Sequence, residues 1–171
     1  MDLCPWADLV YGCDAPWWRH RRGLPEFDGL KVCWAGNGLD GFPDVHRVEI
    51  ARERGGYRED LVMQPQGTIG GGGNSGFQAL NLALQFGARD ILLIGFDMSD
   101  QGGVHWYGRN RWPMANNPDR SSFRRWIAAY GRALPTLMAL GARVFNGSPH
   151  SALDCFPRVT IDGFMEHLDR V

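Results

Sequence analysis

Apolar positions fall into short runs separated by stretches of helical spacing, the pattern of a chain in which strands and helices alternate. Leu9 to Cys13 (LVYGC) predicts a strand that ends at Asp14 and is followed by the aromatic pair Trp17 and Trp18. Lys31 to Trp34 predicts a second strand. Val45 to Ile50 predicts a third, although its polar and apolar positions alternate poorly. Ser75-Gly76-Phe77-Gln78 fits a capping box, in which the Ser75 hydroxyl and the Gln78 side chain satisfy the orphan amides of a helix start. Phe77, Leu80, Ala83 and Leu84 then mark the buried face of a helix over about 76–86, which Gly87 stops.

Asp90 to Phe96 (DILLIGF) is almost wholly apolar, as befits a central strand covered on both faces, and it runs into Asp97. Residues 99–117 are rich in Gly, Asn and Pro with aromatics between them, longer than an ordinary connection, and so read as a functional or a mobile loop. Asn117-Pro118-Asp119 predicts a helix start with proline in the first turn. Phe123, Trp126, Ile127, Tyr130, Leu134, Leu137 and Met138 continue that helix, and Pro135 is expected to kink it. Ala142 to Phe145 predicts a strand ending at Asn146-Gly147-Ser148, and 161–168 a closing helix. Asp90 to Phe145 is then one βαβ unit, preceded by a helix-strand unit. The fold class that follows is α/β, a Rossmann-like three-layer fold with a mainly parallel sheet, in a single domain over 1–171.

Composition narrows the function. A chain of 171 residues with 44% hydrophobic content holds one core and is short for two. The formal net charge of -1 gives no global pull toward nucleic acid or anionic membrane, despite local clusters at Arg19-His20-Arg21-Arg22 and around Arg120, Arg124 and Arg125. Of the 18 basic residues only Lys31 is lysine, and it stands far from any Gly-Lys-Ser/Thr sequence, which excludes a Walker-type phosphate loop. Cys4, Cys13, Cys33 and Cys155 form no CxxC and no paired spacing with the five histidines, so free thiols are expected and no metal ligands are assigned. No apolar run approaches the roughly 20 residues of a membrane span, and no signal segment opens the chain. A cytoplasmic location is expected.

In open parallel sheets the ligand crevice lies beyond the carboxyl ends of the strands. Asp14, Asp97 and Asn146 with Ser148 follow three such ends. Gly70, Gly71, Gly72 and Gly73 lead into a helix N-terminus, whose free amides and positive dipole end suit an anion, with a plain glycine turn as the alternative. Gly71-x-Gly73-x-x-Gly76 also satisfies a dinucleotide fingerprint, with Asp97 near the place of its ribose-binding acid. Pro65, Gln64 and Gln66 stand where that fingerprint needs an apolar strand, which counts against NAD. His105 and Tyr107 follow the Asp97 strand by a loop length and suit a general base and a phosphate contact, or else a surface aromatic lid. His150 is a second base candidate. Trp17 and Trp18 beside Asp14 are either a stacking surface for a base or core material.

The block GGGNSGFQALNLALQFGARDILLIGFDMS, then HWYG, then FNGSPHSALDCFPRV, resembles the MptE-like superfamily: archaeal 6-hydroxymethylpterin pyrophosphokinases, flagellin-modification Maf proteins and Campylobacter-type sialyltransferases. It is most similar to small phage and prophage members, over roughly Leu3 to Val159. In the sialyltransferases a Thr-Ser-Gly at the helix start contacts the CMP moiety, and Asn74-Ser75-Gly76 stands in its place. Asp97 matches the aspartate that ends the following strand, and Met98 departs from the aromatic or polar residue that often follows it. Members begin with an apolar strand and a Gly-x-Gly-Pro-Ser turn that this sequence lacks. The resemblance therefore implies a sheet without its first strands, through either an upstream start or a shortened gene product.

The function implied is a nucleotide or nucleotide-sugar binding domain. Gly70 to Gly73, Asn74 and Ser75 would cradle phosphate, and Asn146 and Ser148 would line the base or ribose. Glycosyl transfer from a CMP-sugar would use His105 as base, with Asp97 beside it and Tyr107 on the leaving phosphate. Diphosphate transfer would instead use Mg²⁺ on Asp14 and Asp97. A phage or prophage remnant or binding module without turnover, associating into homo-oligomers through apolar surface, is the non-enzymatic alternative.

Overall fold

Period-two alternation decides which residues face which layer. In the computed structural model, which describes residues 4–34, 36, 39, 41–105, 107–114 and 116–170, β1 (Leu9–Gly12), β2 (Leu30–Trp34), β3 (Val45–Ile50) and β6 (Thr68–Ile69) form one parallel sheet in that order. Met1, Leu3 and Trp106, which enter the resemblance, lie outside the described residues. The register sets Leu9 opposite Leu30, Lys31 opposite Val45 and Ile50 opposite Ile69. Leu9, Tyr11, Val32, Trp34, Val48, Ile50 and Ile69 pack on one face with Leu82 of α2 (Ser75–Gln85). Val10, Cys33 and Val45 pack on the other with Trp18 of α1 (Ala15–His20) and with Leu24, Phe27 and Leu39. Helices on both faces of the sheet make three layers, the α/β Rossmann-like arrangement with a mainly parallel sheet. The poor alternation of β3 has a cause: Arg47 takes a place on the α1 face, where its guanidinium donates to the carbonyls of Leu39 and Val45.

A short antiparallel pair, β4 (Arg52–Glu53) with β5 (Gly56–Tyr57), precedes β6. The second parallel pair is β7 (Asp90–Leu93) with β8 (Arg143–Asn146), connected by α3 (Arg120–Ala139). Ile91, Leu93 and Val144 meet Ala129, Tyr130, Ala133 and Leu137 of α3 and Phe77, Leu80 and Leu84 of α2. On the opposite face Phe145 meets Phe164 of α4 (Ile161–Leu168) edge to face, with ring centroids 5.6 Å apart. Helix α2 thus serves both sheets.

Three expectations change. The run Asp90 to Phe96 gives a strand only as far as Leu93: Ile94 is 58% exposed and Gly95 turns left-handed at φ +79, so the remainder is a loop. A strand does stand directly before the glycine turn, since Thr68 and Ile69 pair with Glu49 and Ile50. Helix α3 is capped by Asp119 and starts at Arg120, which leaves Pro118 outside its first turn. Trp18 is fully buried and donates from Nε1 to the Gly12 carbonyl at 2.9 Å, which makes it core.

Candidate functional site

The glycine run is a tight turn before it is anything else. The Gly70 amide donates to Asn81 Oδ1 at 2.8 Å and the Gly71 amide to the Arg58 carbonyl at 2.7 Å. A Cβ at Gly70 would stand 1.8 Å from the Asp60 carbonyl oxygen. Gly70, Gly71 and Gly72 are buried, and the chain reaches the surface only at Gly73. What remains of the expected cradle is therefore the start of α2.

The cap there differs from the one expected. Asn74, not Ser75, is the N-cap, with Oδ1 accepting from the Phe77 amide at 2.9 Å. Ser75 Oγ accepts from the Cys13 amide at 3.1 Å and donates to Cys13 Sγ at 3.0 Å, tying α2 to the end of β1. Gln78 turns inward, donating to the Gly71 carbonyl at 2.8 Å and accepting from the Tyr11 hydroxyl at 3.0 Å. The amides of Ser75 and Gly76 are then the first-turn donors for which the helix supplies no acceptor of its own. Burial first, and then the Asp14 charge, push the Cys13 thiol up to about 11, against the pull of the Ser75 bond. Desolvation likewise raises the Asp14 carboxyl, opposed by its bond with Cys13.

A cavity of about 730 Å³ opens at this edge. Asn74 and Gly76 contribute one side, Phe96, Asp97 and Met98 after β7 another, and the loop through Gln101, Gly102 and Gly103 to His105 a third; Phe123, Trp126, Pro149 and His150 complete it. Glycine is needed at Gly76 because a Cβ would come within 2.8 Å of the Phe96 ring. Met98 sits left-handed at φ +52, an uncommon conformation for a side chain of its size. Asp97 is exposed at the rim, its carbonyl accepting from the Ala152 amide at 2.8 Å.

His105 stacks on Tyr107 with centroids 5.1 Å apart and planes 7° from parallel. Asn110 ties the pair: Oδ1 accepts from the Tyr107 hydroxyl at 2.9 Å, and Nδ2 lies 3.3 Å from His105 Nε2. Burial first, and the Arg109 charge second, lower the His105 pKa, which favours the neutral imidazole. Burial raises that of Tyr107, keeping its hydroxyl a donor.

The structure thus gathers Asp97, His105, His150, Asn74 and the α2 start around one cavity. Tyr107 borders a second cavity instead, and Asp14 borders neither. Asn146 and Ser148 are buried and committed to the fold: Asn146 donates to the Leu153 carbonyl at 2.9 Å and accepts from the Ser148 amide, while Ser148 Oγ accepts from the Phe96 amide at 2.8 Å. With the Ser151 hydroxyl donating to the Phe96 carbonyl, they hold the cavity wall from behind. Among the described residues no three His, Cys, Asp or Glu side chains gather to hold a metal ion. No helix is long and apolar enough to cross a membrane among those residues.

Sequence reasoning gave Trp126 only a core role, yet it lines the cavity near Gly73, and its buried Nε1 has no hydrogen-bond partner. Its place in the first turns of a helix that follows a long loop was the available signal. Asn110 carried none. No family model matches the chain, and no curated protein or solved structure is significantly similar to it.

Proposed function

We propose that the cavity binds a nucleotide-sugar and that the chain transfers its glycosyl group to an acceptor hydroxyl. One observation carries the reading: a histidine held toward its neutral form, an exposed carboxylate and a helix start share a crevice of about 730 Å³ at the carboxyl edge of parallel strands. That volume lies inside the roughly 300–1,000 Å³ of small-molecule sites. The resemblance to sialyltransferase-like proteins supports a CMP-sugar as donor. His105 takes the acceptor proton as the acceptor oxygen bonds to the anomeric carbon; the bond from that carbon to the phosphate oxygen breaks, and the leaving phosphate keeps the electron pair. The α2 dipole and the Gly76 amide stabilise that charge, and Asp97 accepts from a sugar or acceptor hydroxyl.

A thermal-shift panel of CMP, CTP, UDP, ATP, GTP and NAD, each with and without Mg²⁺, tests the binding step. Cytidine-selective stabilisation is expected, of about 2.7 kcal/mol at a hundredfold excess over Kd. His105→Ala should retain the shift while transfer falls roughly 10²- to 10⁴-fold. The lowered His105 pKa puts the base in its active form from below the ordinary histidine range, so the rate should already be level at neutral pH. No shift with any nucleotide would remove the reading, and a shift without transfer would reduce the chain to a binding module.

A further inference from the structure

Behind the His105–Tyr107 stack lies the second cavity, of about 550 Å³, bordered by His20, Tyr107, Gly108, Arg109, Arg111 and Trp112. Its lining is cationic and aromatic and, among the described residues, includes no carboxylate. Arg109 and Arg111 make no salt bridge among the described residues. Both arginines border this one cavity, and an anion bound there would meet two planar, forked donors. The aromatic walls are fixed. Trp112 stacks on His20 at the end of α1, with centroids 5.0 Å apart and planes 14° from parallel, and Tyr107 is held by His105 and Asn110.

We propose that this second cavity binds a sugar bearing a phosphate or a carboxylate, with Arg109 and Arg111 on the anion and the ring against Trp112 and Tyr107. Fixed aromatic surfaces take an apolar ring face at little entropic cost, and a forked guanidinium supplies direction to the charged end. On the transferase reading the two sites share one loop, which presents His105 to the first cavity and Tyr107 to the second. The anion site itself does not depend on turnover.

Calorimetric titration of the full chain in low-salt, phosphate-free buffer with glucose 6-phosphate, glucuronate and glucose tests it. At least one of the two acids should bind and glucose should not; whichever acid binds more tightly identifies the anion. Arg109→Gln with Arg111→Gln should weaken that binding about tenfold or more, as loss of charge-assisted hydrogen bonds does. Trp112→Phe, which keeps both arginines, should weaken it several-fold and abolish the ligand-induced change in tryptophan fluorescence. Failure of both acids at millimolar concentration, equal binding of glucose, or undiminished binding by the arginine variant would overturn the proposal. The nucleotide panel reads the first cavity separately, so failure there leaves these titrations standing.

Discussion

At Gly72 two demands fall on one residue. Its φ of +55 is left-handed, and a Cβ there would stand 2.0 Å from Phe77 Cδ1, inside a fully buried ring. Two other glycines separate the two demands. Gly70 has no left-handed φ but would bring a Cβ within 1.8 Å of the Asp60 carbonyl oxygen, whereas Gly87, at φ +98, has nothing within 4 Å. Alanine at Gly87 should therefore cost only backbone strain, about 1 kcal/mol, and alanine at Gly72 roughly 2–4 kcal/mol because overpacking adds to it. Urea denaturation of the two variants measures this. A Gly72→Ala variant no less stable than Gly87→Ala would show that the run is a permissive loop rather than a packed turn.

Side chains cap α2, α3 and α4, and one of these caps carries a pH signature. Asp119 Oδ1 accepts from the Ser121 hydroxyl at 2.7 Å, the Ser122 amide at 2.8 Å and the Ser122 hydroxyl at 2.9 Å. These bonds, the Ser121 hydroxyl foremost, hold its pKa at about 2, below the roughly 3.9 of an unfolded aspartate. A depressed carboxyl contributes stability that is present above the unfolded value and is lost as pH falls through the folded one. Asp119→Asn keeps an N-cap oxygen but cannot titrate, so its melting temperature should fall less steeply than the wild type's between about pH 4 and pH 2. Parallel slopes in that window would mean that the cap contributes nothing through its charge.

The elements were legible wherever periodicity alone decides. LVYGC and KVCW became β1 and β2 because alternate residues meet opposite helices, 161–168 became α4, and VHRVEI became β3 although Arg47 on the α1 face blurs its alternation. The run DILLIGF misled because apolar composition does not reveal where pairing stops, and Gly95 stops it. Asn74 and Ser75 are adjacent and both are good cap formers, so composition could not rank them. His105 was legible as a loop histidine, and Asp97, although the strand stops at Leu93 and leaves it in a loop, does share a cavity with it. Asn146 and Ser148 were not, because a polar residue after a strand can tie down the next loop as readily as face a ligand. Arg109, Arg111 and Trp112 lie in a segment without period, where only three-dimensional structure brings them to His20.

Across the whole molecule, α2 is the member common to both sheets, packing Leu82 on the first and Phe77, Leu80 and Leu84 over the second. Its polar side chains hold the chain that leads to the site. Asn81, fully buried, accepts from the Val62 amide at 2.9 Å and the Gly70 amide at 2.8 Å and donates to the Val62 carbonyl at 2.8 Å. Gln85 adds bonds to the Val62 and Thr68 carbonyls at 2.8 and 2.7 Å, so the carbonyl of Val62 has a second donor but the two amides on Asn81 do not share one. Asn81→Ala would strand those amides in the interior, which costs roughly 1–3 kcal/mol for each, and about 2–6 kcal/mol together is a large share of a stability of some 5–15 kcal/mol. Because one helix carries both clusters, the loss should shift the urea midpoint of a single transition without splitting it. Hydrogen exchange should then be fastest to rise at Val62 and Gly70, and the glycine turn that sets the α2 start should loosen. Nucleotide affinity should consequently fall in Asn81→Ala even though Asn81 borders neither cavity. A midpoint shift worth less than about 1 kcal/mol, or two separate transitions, would show that the two sheets are held together by something other than α2.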